Sequence, residues 1–571
     1  MRNLSWIVLS LLLAGSAVPA RAAETVPWGP NLFPNGSMEQ VDAAGVPTGW
    51  KLEPDPARAY TLTTSPEACA GARCLFMSLN PGANPDTHVQ VESPVVATPE
   101  PGWYLLNFWF RFDFTDARKP YPLFACDRYA QPDGTQRLPG FSPNLFRASD
   151  MRSGQWYYTY LIFRQRPGQG AVGVRFDGAH NGQSLRLDAF QLRRLTVPEQ
   201  LPATDYNRIT DGVWGATTVP DAASPGGRAS EYQEGRNTES GIMTGVRQSE
   251  VPGLYVGVYD FEQVARGGEG DWGLQMDLAS GSGDGTGQTL DPIAPSDFRA
   301  AGDWEQFSAP FLYAFSGGSY YSFSWSKLGT YRFRGLSLKY MMPVTYRQSW
   351  SLFYDGVDAD RVVPRGAPLA TPVWLAAGLH SDLYGLDQAL AALSLPATRS
   401  DYVSGKGLLP TMPDLSAARL VVLAGAPARA LSPVQQYLLE RFVEQGGGLV
   451  ILGGLTGYGY GGMKGSFLEE MAPVALTSGF DLARVPEPGT VTLANGQTLG
   501  QCAWAHQVTV KAGGTVAARS GKVPLIVTGT YGKGRVVAVV ATALGTPTDP
   551  FWAKPAWVMQ LANQMRWAAK K

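Results

Sequence analysis

Residues 443–462 read VEQGGGLVILGGLTGYGYGG. A short apolar run, Leu449-Val450-Ile451-Leu452, passes into a loop with glycine at nearly every other position. An apolar run of that length, bounded by glycine, is the pattern of a strand buried on both faces. Just upstream, Ser432 precedes Pro433, and Gln435 follows three positions later. That is an N-cap, a first-turn proline and a capping box. Val434, Tyr437, Leu438 and Phe442 supply the apolar stripe of this helix, and Gly446 stops it. Farther back, Val373 to Ala377 and Leu420 to Ala424 read as two more buried strands. Between them Ser381 is positioned to cap a helix carrying Leu383, Leu386, Leu390 and Leu393. Downstream, Pro524 to Val527 and Arg535 to Val540 flank a glycine turn and predict a hairpin. Trp557, Leu561 and Met565 predict a closing helix. Strands alternating with helices predict a parallel sheet covered on both faces over residues 365–571. Ligands of such sheets bind beyond the carboxyl ends of the strands, so the loop after Leu452 is where a site is expected.

Three readings compete for that loop. A phosphate cradle needs Gly-Lys followed by Ser or Thr, and Lys464-Gly465-Ser466 has the wrong order. A nucleophile turn needs a reactive side chain between its glycines. The frame here is Gly453-Gly454-Leu455-Thr456-Gly457, with Leu455 at the centre and Thr456 one position off. A plain turn, or a ligand site built from backbone groups with Tyr458 and Tyr460, is the third reading. His380 and Asp382 follow the first buried strand and are candidates for the same edge. Asp382 also reads as an acidic residue favoured near a helix start.

From Leu431 through Gln445-Gly446-Gly447-Gly448, Gly453-Gly454, Tyr458, Gly461-Gly462, Gly465 to Met471 and Pro473-Val474, the chain resembles the glutamine amidotransferase-like family. The resemblance implies a class I amidotransferase-like, flavodoxin-like domain over 365–571. True class I enzymes use an elbow cysteine with a later His and Glu. Here the elbow holds Leu455. His506, the only later histidine, is followed by Gln507 and Val508, so His-x-Glu is absent, and Cys502 lies outside the elbow. A non-catalytic domain is therefore expected. One alternative is a hydrolase acting on sugars or amides at the 453–470 edge. It would use Thr456, His380, Asp382, Glu469 or Glu470, and needs two of these within about 5–6 Å. Another is an oligomerisation module.

The first two-thirds are rich in Gly, Pro and aromatic residues and alternate with period two. They also repeat. Pro101-Gly102-Trp103-Tyr104 is echoed by Pro252-Gly253-Leu254-Tyr255, Gly154-Gln155-Trp156 by Gly302-Asp303-Trp304, and the strand Leu185 to Leu192 by Tyr331 to Leu338. Two tandem jelly-roll β-sandwiches are expected, at 24–196 and 203–342, with a linker at 343–364. The opening Asn31 to Glu39 and Gly45 to Trp50 resembles galactose-binding-like carbohydrate-binding modules. That resemblance implies a structural calcium at Glu39 and Asp188; the second module has Arg334 where the first has Asp188. Trp103, Trp109 and Trp156 are the candidate glycan platforms, with Trp304 and Trp325 beside them. Tryptophan at alternating strand positions otherwise fills the core. His88 and His180 carry similarly weak signals: His180 sits in a turn-like stretch that can reach a ligand, and a lone loop histidine otherwise reads as solvated.

Arg2, the apolar run Leu4 to Val18 and Ala20-Arg21-Ala22 read as a secretory signal peptide over 1–22. A secreted or periplasmic protein without a transmembrane segment follows as the expectation. In such a compartment Cys69 and Cys74 are expected to form a local disulfide, with Cys126 and Cys502 as buried thiols. The 47 basic and 48 acidic residues in 571 leave a formal net charge of −1, which argues against nucleic acid as a partner. A polysaccharide or glycan is the expected partner; no cofactor is required, and a structural calcium in the first module is only what the resemblance implies.

Overall fold

Strand Gly102–Phe114 sets the first sandwich. Its alternate residues Tyr104, Leu106, Phe108, Phe110 and Phe112 point into one core with Trp50, Phe124, Phe176 and Phe190, where Phe108 stacks on Phe190 at 4.7 Å. On either side it pairs antiparallel with Gly182–Leu195 and Trp156–Gln165. The facing sheet runs Lys51–Leu52, Gln90–Glu92, Ala171–Asp177, Leu123–Tyr129, Arg137–Phe141. In the second module Gly253–Ala265 pairs with Thr330–Pro343 and Trp304–Tyr313 in the same manner. The repeat in the sequence is thus a repeat of strand pairing. This computed structural model describes residues 26–569 except 53–58, 84–89, 115–122, 142–150, 178–181, 210–212, 225, 238–241, 244–250, 269–271, 283–284, 316, 364–365 and 402–411. The expected signal peptide, His88 and His180 lie outside the described residues.

The two sandwiches share a sheet. Trp156–Gln165 pairs in parallel with Gly285–Ile293, from Tyr158 opposite Gly285 to Phe163 opposite Leu290. The result is one eight-stranded sheet running through both modules. Glycine permits this contact: a Cβ on Gly287 would fall 1.8 Å from the Tyr160 ring.

Of residues 343–364, expected as a linker, the described 343–363 are instead a folded wedge. Tyr346–Phe353 is a helix with Thr345 and Gln348 forming its capping box, and Ala359–Val362 is a short second helix capped by Asp358. Tyr346, Leu352, Phe353, Tyr354 and Val362 are buried in a core drawn from every part of the chain. Trp109, Trp156 and Tyr160 come from the first module, Leu254 and Phe315 from the second, and Val434 and Phe467 from the C-terminal region. Trp350 stacks between Tyr354 and Tyr437, with centroids at 3.9 and 4.1 Å. The outward faces of the 102–114 and 156–165 strands are apolar, and covering them is what orders this segment.

In the C-terminal region Ala397–Asp401, Val373–Ala377, Leu420–Ala424, Gly448–Leu452 and Gly534–Val539 lie side by side in that order, all parallel. In chain order this is 2-1-3-4-5. Antiparallel strands then extend the sheet from Val523–Tyr531 onward. Val373, Leu375 and Ala377 face the helices Leu386–Leu393 and Pro555–Ala568. Trp374 and Ala376 face Pro433–Glu444 and Phe467–Met471. Covered on both sides, Val373–Ala377, Leu420–Ala424 and Gly448–Leu452 are buried at every position, whereas the edge strand Ala397–Asp401 is polar and partly exposed. The Ser432–Gln435 capping box forms as read. Ser381 differs from its reading. It opens a separate 3-10 turn, and the helix proper begins at Leu386 after Gly385 at φ 67°. Among the described residues no helix is long and apolar enough to cross a membrane.

Candidate functional site

The loops leaving Ala377, Ala424 and Leu452 meet at one edge. Their approach leaves no room for side chains: a Cβ on Gly378 would fall 2.2 Å from the Gly425 carbonyl oxygen, and one on Gly454 3.3 Å from the Gly425 Cα. Thr456 Oγ1 donates to the Gly425 carbonyl at 2.8 Å, so this hydroxyl is tied to the scaffold. Tyr458, at φ 46°, turns inward. Its ring stacks on His506 at 4.6 Å, and its hydroxyl donates to the Ile451 carbonyl at 3.2 Å.

His506 is the centre of this arrangement. Its Nδ1 lies 3.0 Å from Asp481 Oδ1, and its Nε2 faces the Gly454 N–H at 3.4 Å. A backbone N–H only donates, so Nε2 accepts and Nδ1 carries the proton shared with Asp481. Both side chains are fully buried. Gly459 makes room for the acid, since a Cβ there would sit 2.7 Å from Asp481 Oδ1. An acid orienting a histidine supplies two of the three members of a catalytic triad. Leu455, at the centre of the glycine frame, is 43% exposed. Asp481 had no signal in the sequence. It precedes His506 by 25 positions and belongs to no motif.

Outside this closed elbow the surface is aromatic. Tyr460 is 39% and Phe480 66% exposed, and their rings meet edge to face at 6.0 Å. The Arg429 guanidinium lies 5.4 Å from the Tyr460 ring, and its Nη1 donates to the Tyr460 carbonyl. Tyr458 and Tyr460, read together from the sequence, therefore divide: one is core, the other surface. The remaining candidates do not converge. His380 and Asp382 are exposed in the turn after Ala377. Glu469 accepts from the Gly465 and Leu476 N–H groups at 2.6 and 2.7 Å and pairs with Lys464. Glu470 pairs with Arg347 at 3.5 Å, so these two carboxylates serve different partners.

The first module corrects several expectations. Trp109 and Trp156 are buried in the junction core, so neither is a platform. Trp109 donates its indole N–H to the Phe353 carbonyl at 2.8 Å. Trp103 is half-buried, with Arg164 at 5.8 Å from its ring. Trp325 is core, and Trp304 is covered by Arg334 at 4.6 Å. Cys69 and Cys74 are both free, buried thiols. Each is engaged elsewhere, Cys69 Sγ donating to Asp188 at 3.4 Å and Cys74 Sγ to the Ser65 carbonyl at 3.5 Å. Burial, with Asp188 nearby, raises both thiols, Cys74 to about 12.

Nor does the Glu39–Asp188 pair fit calcium, which needs six or more converging oxygens. Glu39 Oε1 accepts from the N–H groups of Ala72 and Arg73, and Asp188 from those of Cys69, Ala70 and Ala189. Several carbonyls of the same loop turn the other way. Cys69 O accepts from the Asp358 N–H at 2.9 Å, and Gly71 O from Arg361 at 2.8 Å. The loop is held between two carboxylates and the wedge helices. Among the described residues no group of three or more His, Cys, Asp or Glu is placed to hold a metal.

No protein-family model matches the chain, and no curated protein matches it in sequence. Among solved structures, a cytoplasmic protein from Salmonella typhimurium LT2 is 15% identical, with a TM-score of 0.29 over 35% of this chain and 100% of that one. The N-terminal CBM22 tandem domain of Xyn10C from Paenibacillus barcinonensis is 12% identical, with a TM-score of 0.20 over 56% of this chain and 100% of that one. TmCBM61, solved in complex with β-1,4-galactotriose, is 17% identical, with a TM-score of 0.20 over 29% of this chain and 99% of that one. The structural neighbours thus include carbohydrate-binding modules.

Proposed function

We infer that this chain is an exported, non-catalytic glycan-binding scaffold whose C-terminal unit is a flavodoxin-like domain of the amidotransferase-like kind without its nucleophile. The 2-1-3-4-5 order of its parallel strands supports the domain assignment. The observation that carries the functional reading is the closed elbow. Leu455 replaces the reacting group, His506 spends both ring nitrogens on Asp481 and the Gly454 N–H, and what the edge offers to solvent is Tyr460, Phe480 and Arg429. An aromatic face beside a guanidinium is stacking and hydroxyl-binding chemistry, not bond-breaking chemistry. Affinity electrophoresis of the purified chain against a polysaccharide panel tests this. Retardation by at least one polymer, abolished in the Tyr460→Ala, Phe480→Ala double variant, is the expected result. A chain retarded by no polymer, but dimeric by light scattering until those rings are removed, makes the patch an assembly surface instead.

One observation favours the hydrolase alternative: the Asp481–His506 pair has the geometry of an acid-oriented base. Release of reducing ends from any polymer of the panel by the wild-type chain, lost in His506→Asn, would establish it and remove the non-catalytic reading.

A further inference from the structure

The parallel pairing of Trp156–Gln165 with Gly285–Ile293 brings the carboxyl ends of both strands to one edge. There Arg164, Arg166 and Pro167 of the first module face Asp291 and Asp297 of the second, and Gln306, Phe307 and Ser308 close the side. They enclose an open-mouthed cavity of about 340 Å³, within the range of small-molecule sites.

One group in it is unsatisfied. Asp291 is 2% exposed, and its Oδ1 has no hydrogen-bond partner. The nearest cation, Arg166 Nη2, stands 3.7 Å away, beyond hydrogen-bonding reach. Arg166 is committed elsewhere. Its Nη1 donates to both Asp297 oxygens at 2.7 and 2.6 Å, and its Nη2 to the Pro292 carbonyl at 2.6 Å. Asp297 also accepts from the Ala294 N–H. A buried carboxylate oxygen without a donor is unfavourable, and burial pushes Asp291 up to about 7. A ligand that donates a hydrogen bond relieves that cost.

The lining selects its class. A divalent cation meets two guanidinium groups, and both carboxylates already face the charge of Arg166. An anion meets Asp291. A neutral polyhydroxyl ring meets a matched set: an acceptor in Asp291, a donor in Arg164, and apolar surface from Pro167 and Phe307. We propose that the inter-module cavity is a sugar-binding subsite. It holds one pyranose ring through neighbouring hydroxyls, one donating to Asp291 Oδ1 and one accepting from the Arg164 guanidinium. This site is separate from the strand-end aromatic surface and does not depend on it.

Titration of the full chain with methyl β-D-xylopyranoside, methyl β-D-glucopyranoside and methyl β-D-galactopyranoside, followed by saturation-transfer NMR, tests it. At least one glycoside binds. Asp291→Asn weakens it by about tenfold or more, the usual effect of losing a charged acceptor. Ser308→Trp, at an exposed position on the rim, fills the cavity and abolishes binding even if Asp291→Asn fails to fold. The Tyr460→Ala, Phe480→Ala variant binds as wild type. Wild-type binding of none of the three overturns the inference, as does unchanged binding in Ser308→Trp. Binding lost only with Tyr460 and Phe480 overturns it too, while leaving the strand-end reading intact.

Discussion

Replacing Trp109 with alanine separates two roles that the sequence left open. As a glycan platform, Trp109 would be dispensable for folding. In the structure it is fully buried, meets Tyr354 edge-on at 5.0 Å and donates to the Phe353 carbonyl. A buried Trp→Ala change costs about 3–5 kcal/mol through lost transfer energy and the cavity left behind. Stranding the Phe353 carbonyl adds about 1 kcal/mol or more. The expected loss for Trp109→Ala is therefore about 4–6 kcal/mol. Trp109→Phe keeps most of the apolar area and loses only the N–H, so about 1–2 kcal/mol is expected. Because the junction core joins all three regions, the loss should change cooperativity as well as stability. Scanning calorimetry reads both: the first sandwich should melt earlier in Trp109→Ala and separate from the C-terminal transition. A multidomain chain need not unfold in two states, so the comparison is between transitions, not fitted totals. A Trp109→Ala protein that melts with the wild-type profile, and differs only in polysaccharide binding, would refute the junction role.

Three further outcomes follow from the same contacts. Peptide mapping without reductant should find Cys69 and Cys74 unlinked, and reductant should leave Tm unchanged; a 69–74 disulfide would overturn the free-thiol geometry. His506→Ala leaves Asp481 buried beside an empty space, and a buried acid stripped of its partner costs about 3–5 kcal/mol. Urea unfolding of the C-terminal domain should show a loss of that order, and a change under about 1 kcal/mol would mean the pair is not structural. Asp291 is held near 7 by burial, against about 3.9 in an unfolded chain. The folded state therefore binds this proton more tightly, and the associated stability is present below about pH 4 and lost as pH rises through about 7. Asp291→Asn removes that dependence. The Tm difference between wild type and variant should fall as pH goes from 5 to 8, and a difference that rises would contradict the sign.

Local chemistry was legible wherever a few neighbouring residues decide it. The capping box at Ser432–Gln435, the buried strands Val373 to Ala377 and Leu449 to Leu452, and the glycine hairpin before Arg535 all formed where the sequence placed them. That Leu455 carries no reactive atom was also visible, because it depends on that residue alone. The strand repeat was legible as well, since equivalent strands carry equivalent alternation. Partnership across the chain was not. Asp481 reaches His506 through a fold-back of 25 residues, Phe480 meets Tyr460 the same way, and Trp109 finds the Phe353 carbonyl 244 positions on. Period-two alternation says that a strand has two faces. It does not say whether the second face meets water, sugar or another domain. That choice turned Trp109 and Trp156 from platforms into core, and residues 343–363 from part of a linker into a wedge. The sequence by itself determined the buried strands, the Ser432 helix and the strand repeat, because those follow from side-chain chemistry and spacing. Only the tertiary structure decided which aromatic residues face solvent and which buried carboxylate oxygens lack a hydrogen-bond donor, because burial and hydrogen-bond satisfaction belong to the whole packed chain.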